Sequence, residues 1–295
     1  MKFLTKARTL SILKGKILSA EVPELIFFSV KEWRDNKQFY ISKVNKIFQN
    51  TKVIVRSSCL NEDQKDNSNA GAYLSLPNVD FKNLEKAVDQ VINSFSDNNL
   101  YNEILIQPMI RKVVASGVVF SHDPNTNSPY RVINISEGHN TEVVTGGQGG
   151  KLIYISPGRP KSLVLNDRTS QILKLVEELI LLFDSDPIDC EFAISSENNN
   201  EKIWLLQARP LILKSIPETE NSHSNRLYQI SLKINESQQT NPFVLGDKAI
   251  FGIMPDWNPA EIIGVRPKPL SLSLYKELIT DSIWAYQRHN YGYRN

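Results

Sequence analysis

The apolar positions of this chain change period along its length, and the changes mark out its elements. Leu10, Leu13, Ile17 and Leu18 suggest an amphipathic helix that opens the chain. Val22–Val30, entered through Pro23, reads as a strand, and Val53–Ser58 as another. Leu84, Val88, Val91, Ile92 and Phe95 fall at helical spacing, which predicts a helix over Phe81–Ser96 with one buried face. A strand-rich stretch follows, with Glu103–Ile110, Gly117–Ser121, Tyr130–Ile135 and Leu152–Ile155 separated by Asn, Pro, Ser and Gly. Arg168–Phe183 predicts a second helix, with Ile172, Val176, Leu179 and Ile180 inward and Asp167 as its N-cap. Cys190–Ser195 and Lys202–Leu206 then read as a hairpin around the polar tip Ser196–Glu201. Beyond Arg209-Pro210, Pro217–Asn225 (PETENSHSN) is polar and patternless, the mark of a linker, and the tail from Asn241 is rich in aromatics and prolines.

Composition narrows the class without choosing a function. The chain has 295 residues, 41% hydrophobic and 22% charged, which is globular and large enough for one or two domains. Its 34 basic and 32 acidic residues leave a net charge of +2 with no dominant block, so neither nucleic acid nor an anionic membrane is an expected partner. No apolar run approaches the roughly 20 residues needed to cross a bilayer. The basic N-terminus MKFLTKARTLSILKGK is too interrupted by Lys and Arg to hold a signal-peptide core. Cys59 and Cys190 are far apart and read as free thiols of a cytoplasmic protein.

Three features carry candidate chemistry. Arg56 ends the strand Val53–Ser58 and precedes a small-residue turn, Asn69–Ala72, in a loop running to Ser75. Such a turn can bring backbone N–H groups to phosphate oxygens, while an arginine clamps them bidentately. Glu191 and Gln207 lie on the two hairpin strands, where a carboxylate and an amide oxygen side by side would suit magnesium. Arg209, two residues beyond Gln207, shares its strand face. Taken singly, each also reads as an ordinary strand end, turn or hairpin residue. Other chemistries are weaker. The histidines at 122, 139, 223 and 289 lack metal-ligand spacing, Cys59 has no evident base, and Gly146–Gly150 fits no P-loop or dinucleotide fingerprint.

In order, Val55-Arg56-Ser57-Ser58, Glu62-Asp63, Ala70-Gly71, Ile106–Met109, Ser116–Pro124, Asp189–Phe192 and Leu206–Pro210 resemble one family. It is the N-terminal nucleotide-binding domain of phosphoenolpyruvate synthase and pyruvate phosphate dikinase. The resemblance covers residues 1 to 212 and implies an α+β fold of the ATP-grasp type, two α+β subdomains clasping the nucleotide. The implied subdomains are 1–105 and 106–212, with a linker at 213–226 and the incomplete start of a further domain at 227–295. It also implies ATP and Mg2+ as cofactors. Arg56 and Arg209 would be catalytic, Glu191 and Gln207 would hold the metal, and all four would contact the nucleotide. Lys6, without the family's flanking glycines, matches its nucleotide lysine. Gly71 and Ser75, the latter where the family has threonine, fall by the phosphates, and Gln107, Met109 and Ile110 match the hinge at the adenine edge.

The resemblance further implies cleavage of ATP to AMP and phosphate through a phosphohistidine on a separate domain, whose Ser-His-Ala motif this chain lacks. Ile133–Gly147 and Gly252–Gly264 look like the L-glutamine kinase of capsule phosphoramidate biosynthesis, which makes L-glutamine the favoured acceptor. A pyruvate-dependent synthase and a non-catalytic nucleotide-binding remnant stand as the alternatives.

Overall fold

The computed structural model describes residues 1–49, 51–59, 74–95, 97, 99–138, 150–159, 164–184, 187–198, 200–239 and 259–290. The expected phosphate turn with Gly71, the pair Glu62-Asp63, most of the glycine cluster and Gly252–Asn258 lie outside the described residues.

The chain opens with α1 (Lys6–Leu13), followed by β1 (Ile26–Ser29), α2 (Val30–Asp35), α3 (Lys37–Phe48), β2 (Val53–Ser58) and β3 (Ser75–Val79). A 3-10 turn at Phe81–Asn83 leads into α4 (Leu84–Asn93), then β4 (Glu103–Pro108), β5 (Val113–Phe120), β6 (Arg131–Glu137) and β7 (Lys151–Ile155). After these come α5 (Asp167–Leu182), β8 (Ile188–Glu197), β9 (Asn200–Pro210) and α6 (Glu220–Ser237). Among the described residues the strands form two antiparallel sheets, ordered β1-β4-β2-β3 and β7-β6-β5-β8-β9. The α+β class and the two-subdomain layout of the ATP-grasp expectation are both present.

Each sheet has its own core. Val53, Val55, Ile104 and Ile106 turn one face of the first sheet onto Trp33, Val44, Phe48, Leu84, Val88 and Val91 from α2, α3 and α4. The second core joins Val119, Ile133, Cys190, Phe192, Ile194 and Leu205 to Ile172, Val176 and Leu179 of α5. Ala7, Leu10 and Leu13 of α1 also belong to this second core, as does Leu105 of the first sheet. The first helix of the chain therefore packs on the second subdomain, against the expectation that residues 1–105 act together. The boundary expected after residue 105 also cuts β4, which stays in the first sheet to Pro108.

Other departures have local causes. The strand expected over Val22–Val30 ends at Ser29, because Ser29 and Glu32 form a reciprocal capping box that starts α2. The α5 cap is Asn166, whose side chain accepts from the Thr169 amide, rather than Asp167. The expected linker turns helical at Glu220, where Thr219 Oγ1 accepts from the Ser222 amide. Its first turn is pinned by Arg131, which is 4% exposed and ion-paired to Glu220 at 2.5 Å.

Gly117, in the middle of β5, is required by packing rather than by φ. A Cβ there would lie 2.3 Å from the Asn134 carbonyl oxygen and 2.7 Å from Phe192 Cζ. The carbonyl belongs to a paired strand and cannot retreat. Gly117→Ala should destabilise the chain by about 1–3 kcal/mol, the usual cost of overpacking, and lower its melting temperature by several degrees in circular dichroism.

Residues Met1–Asn225 form one compact unit and Arg226–Asn295 a second. Beyond α6, the second unit's described residues form α7 (Pro259–Ile263), α8 (Pro269–Tyr275), a π turn at Lys276–Thr280 and α9 (Ile283–Asn290). Leu270, Leu272, Leu274 and Leu278 are exposed there. No described helix is long and apolar enough to cross a membrane.

Candidate nucleotide and metal site

Strand alternation decides what the first sheet presents to the second. With Val53, Val55, Ile104 and Ile106 turned to the helices, Ile54, Arg56 and Ser58 of β2 and Glu103, Leu105 and Gln107 of β4 lie on the opposite face. Leu105 on that face enters the second core, so it is the face that meets the second sheet.

On the second sheet, a bulge sets which residues answer. Phe192 pairs with Leu205 and Glu191 with Gln207, which leaves Leu206 as an extra residue in β9. Ile203 and Leu205 face the core, and an unbroken alternation would bury Gln207 beside them. The extra residue reverses the phase, so Gln207 shares the Glu191 face and Ala208 enters the core instead. Arg209 follows Gln207 onto that face.

Arg56 joins the two sheets. Its Nη2 donates to Glu191 Oε2 at 3.2 Å and to Gln207 Oε1 at 3.0 Å, and Nη1 donates to the bulged Leu206 carbonyl at 3.4 Å. Arg209 is register partner to Asp189, whose Oδ2 receives both its Nε and Nη2 at 2.7 Å. Lys6, at the start of α1, is 5% exposed. Burial pushes the Glu191 carboxyl up, but the charges of Arg56, Lys6 and Arg209 outweigh it and hold Glu191 below the usual glutamate range. Three cations thus converge on one carboxylate, with Asp189 as the second anion.

Two buried donors on this face have no hydrogen-bond partner: Arg56 Nε and Gln107 Nε2. Such groups cost stability unless an acceptor reaches them. A polyanion with amide-accepting nitrogens, such as a nucleotide, supplies acceptors of both kinds.

The sequence-expected residues are brought together to differing degrees. Arg56, Glu191 and Gln207 are in direct contact, and Arg209 and Lys6 act on Glu191 through charge. Ser75 is exposed at the register position opposite Arg56. Met109 and Ile110 follow β4, and the Met109 amide donates to the Lys52 carbonyl at 2.9 Å. Sequence reasoning gave no role to Asp189, although it sits two residues before Glu191 on the same strand face. Cys59 and Cys190 are both buried, and burial pushes the Cys190 thiol well up, which disfavours its thiolate. His223 is 4% exposed, its ring edge-on to Tyr130, and closed to a phosphoryl donor.

Residues 6–157 match the family described as "Pyruvate phosphate dikinase, AMP/ATP-binding domain", just over half of the 295. The chain belongs to this family. Lys6, Arg56, Ser75, Gln107, Met109 and Ile110 lie within the matched stretch of this pyruvate phosphate dikinase-type domain. Glu191, Gln207 and Arg209 lie beyond it, and only the fold ties them to Arg56. No curated protein matches the sequence. Solved structures that match include D-alanine-D-alanine ligase from Helicobacter pylori, at 18% identity and TM-score 0.40, covering 70% of this chain and 53% of that one. D-alanyl-alanine synthetase A from Vibrio cholerae matches at 13% identity and TM-score 0.37, covering 71% and 59%. PH1788 from Pyrococcus horikoshii matches at 12% identity and TM-score 0.44, covering 73% and 92%. The chain spans a little over half the length of the two ligase structures.

Magnesium can be tested against the donor set. Two hard oxygens, from Glu191 and Gln207, converge on one cationic nitrogen of Arg56, which is where oxygens meant for a cation would converge. Among the described residues no group of three or more His, Cys, Asp or Glu could hold a metal. The pair fits an ion that takes few protein ligands and keeps water and phosphate oxygens for the rest.

Proposed function

We propose that the junction of Arg56, Glu191 and Gln207 binds Mg-ATP, and that the chain is the ATP-binding module of an L-glutamine kinase. The observation that carries the nucleotide reading is the guanidinium held between two oxygen ligands and flanked by unpartnered donors. Arg56 and Arg209 would turn from their carboxylates to the terminal phosphates, with Lys6 adding charge and Ser75 a hydroxyl at the same end. Gly71 would bring its backbone against the phosphates. Gln107, Met109 and Ile110 would meet the adenine edge, Met109 through its carbonyl, since its amide is committed to Lys52. When bound, magnesium would neutralise charge on the transferred group. Catalysis is then positioning and electrostatics: breaking the α–β bond of ATP would release AMP and pass a pyrophosphoryl group to a histidine on a further domain, where loss of one phosphate to water would leave the phosphohistidine. The glutamine acceptor rests on the resemblance of Ile133–Gly147 and Gly252–Gly264, and the linker 213–226 would lead to the further domain beginning at 227.

Calorimetric titration of the purified chain with ATP, with and without magnesium, tests the site. We expect micromolar binding that magnesium tightens; a folded chain that binds no ATP would sink the reading. For the acceptor, AMP release by the full-length protein should depend on L-glutamine, and dependence on pyruvate would assign the synthase activity instead.

A further inference from the structure

α1 belongs to two subdomains at once. Its apolar face, Ala7, Leu10 and Leu13, lies in the core of the second. Its first turn is tied to the first sheet by polar contacts instead. The Ala7 amide donates to Ser58 Oγ at 2.9 Å, on the last residue of β2. Glu103, on β4 and directly opposite Ser58 in register, takes the other two ties. One carboxylate oxygen accepts from the Thr5 hydroxyl, the helix N-cap, and the other from Arg8 Nε.

Glu103 is 3% exposed, a carboxylate buried in the sheet. Such a group is retained at a cost unless its hydrogen bonds are made, and here both oxygens are used by one turn of one helix. That turn begins with Lys6. The residues on either side of Lys6 are gripped, Thr5 through its side chain and Ala7 through its amide, so the lysine's Cα is fixed relative to the cleft face of the first sheet. Its charge is then among those that lower Glu191, on the second sheet. Thr5, Ala7 and Arg8 are spent on Glu103 and Ser58, and Lys6 is the member of the turn whose charge acts on Glu191.

From this we infer that Glu103 is a positioning residue for the nucleotide site: it clamps the first turn of α1 across the two subdomains and so sets where Lys6 stands. The inference rests on the nucleotide reading above for its effect on ATP, but not for its effect on Lys6. It also separates geometry from charge. In Glu103→Gln the amide oxygen can still accept from Arg8, and the amide N–H can donate to a Thr5 hydroxyl turned round. In Glu103→Ala both ties are lost.

The test is a double-mutant cycle read by ATP calorimetry on the full chain, with Glu103→Ala, Lys6→Ala and the pair together. Glu103→Ala should weaken ATP binding about tenfold when Lys6 is present and less than about twofold when it is absent, because its effect passes through Lys6. Glu103→Gln should stay near wild type. Lys6 labelling by an amine-reactive reagent, read by peptide mass spectrometry, should be slow in wild type and Glu103→Gln and about tenfold faster in Glu103→Ala. Should Glu103→Ala fail to fold, Thr5→Val replaces it, with Thr5→Ser as the control that keeps the hydroxyl. Equal ATP losses with and without Lys6, or unchanged Lys6 labelling, would overturn the inference. If wild type binds no ATP, the nucleotide reading fails alone, and faster labelling in Glu103→Ala would still support the clamp.

Discussion

Arg56→Ala should weaken ATP binding by roughly 10- to 150-fold, the equivalent of about 1.5–3 kcal/mol for hydrogen bonds to a charged group. In the full-length protein it should lower turnover by about 10²–10³-fold, if donors aimed at developing charge are a fair guide. The argument rests on what Arg56 does on both sides of the cleft. It is the side chain of the first sheet that reaches Glu191, Gln207 and the Leu206 carbonyl on the second. Its Nε is buried without an acceptor, so a phosphate oxygen would meet a donor already desolvated and fixed. Lysine should not rescue it, since one ammonium cannot bridge two oxygens and a phosphate as a planar fork does. A further consequence distinguishes this role from simple loss of charge. Removing Arg56 also frees the two oxygens it occupies, so magnesium should recover part of the lost affinity in Arg56→Ala. An Arg56→Ala chain with wild-type affinity and turnover would remove Arg56 from the site.

Much of this site can be read from the residues, because its parts lie at strand ends where period-2 patterning is strong. Val53-Ile54-Val55 announces a strand buried on one face, and the structure places β2 at Val53–Ser58 with Arg56 on the other face. Helices α4 and α5 follow the periodicity of Leu84, Val88 and Val91 and of Ile172, Val176 and Leu179. What stays hidden is non-local or depends on a single residue. The bulge at Leu206 has no glycine or proline to mark it, and a strict reading of β9 from Ile203 and Leu205 would send Gln207 into the core. α3, Lys37–Phe48, buries only Val44 and Phe48, too few positions to set up a visible stripe. The docking of α1 on the second core depends on contacts across the whole domain, for which a short helix carries no local sign. Asp189 was legible in principle, since i and i+2 on a strand share a face with Glu191.

Glu191→Gln should remove the magnesium effect rather than abolish the site. With the carboxylate gone, the charges of Arg56, Lys6 and Arg209 lose an anion they act on, and the cleft becomes more positive. ATP without magnesium should therefore bind at least as tightly as to wild type, while the tightening by magnesium should be lost, because a neutral amide oxygen is a poor substitute for a carboxylate on a hard cation. The pH dependence has a definite direction. The three cations hold the Glu191 pKa below its unfolded value, so its contribution to stability is present above the usual glutamate range and is lost as pH falls through the folded pKa. Wild type should thus be the more stable protein at neutral pH, and its advantage over Glu191→Gln should shrink on acidification. Melting curves across that range read this without any ligand. A constant difference between the two proteins would mean that Glu191 does not titrate against the cations around it, and the electrostatic centre of the site would have to be sought elsewhere.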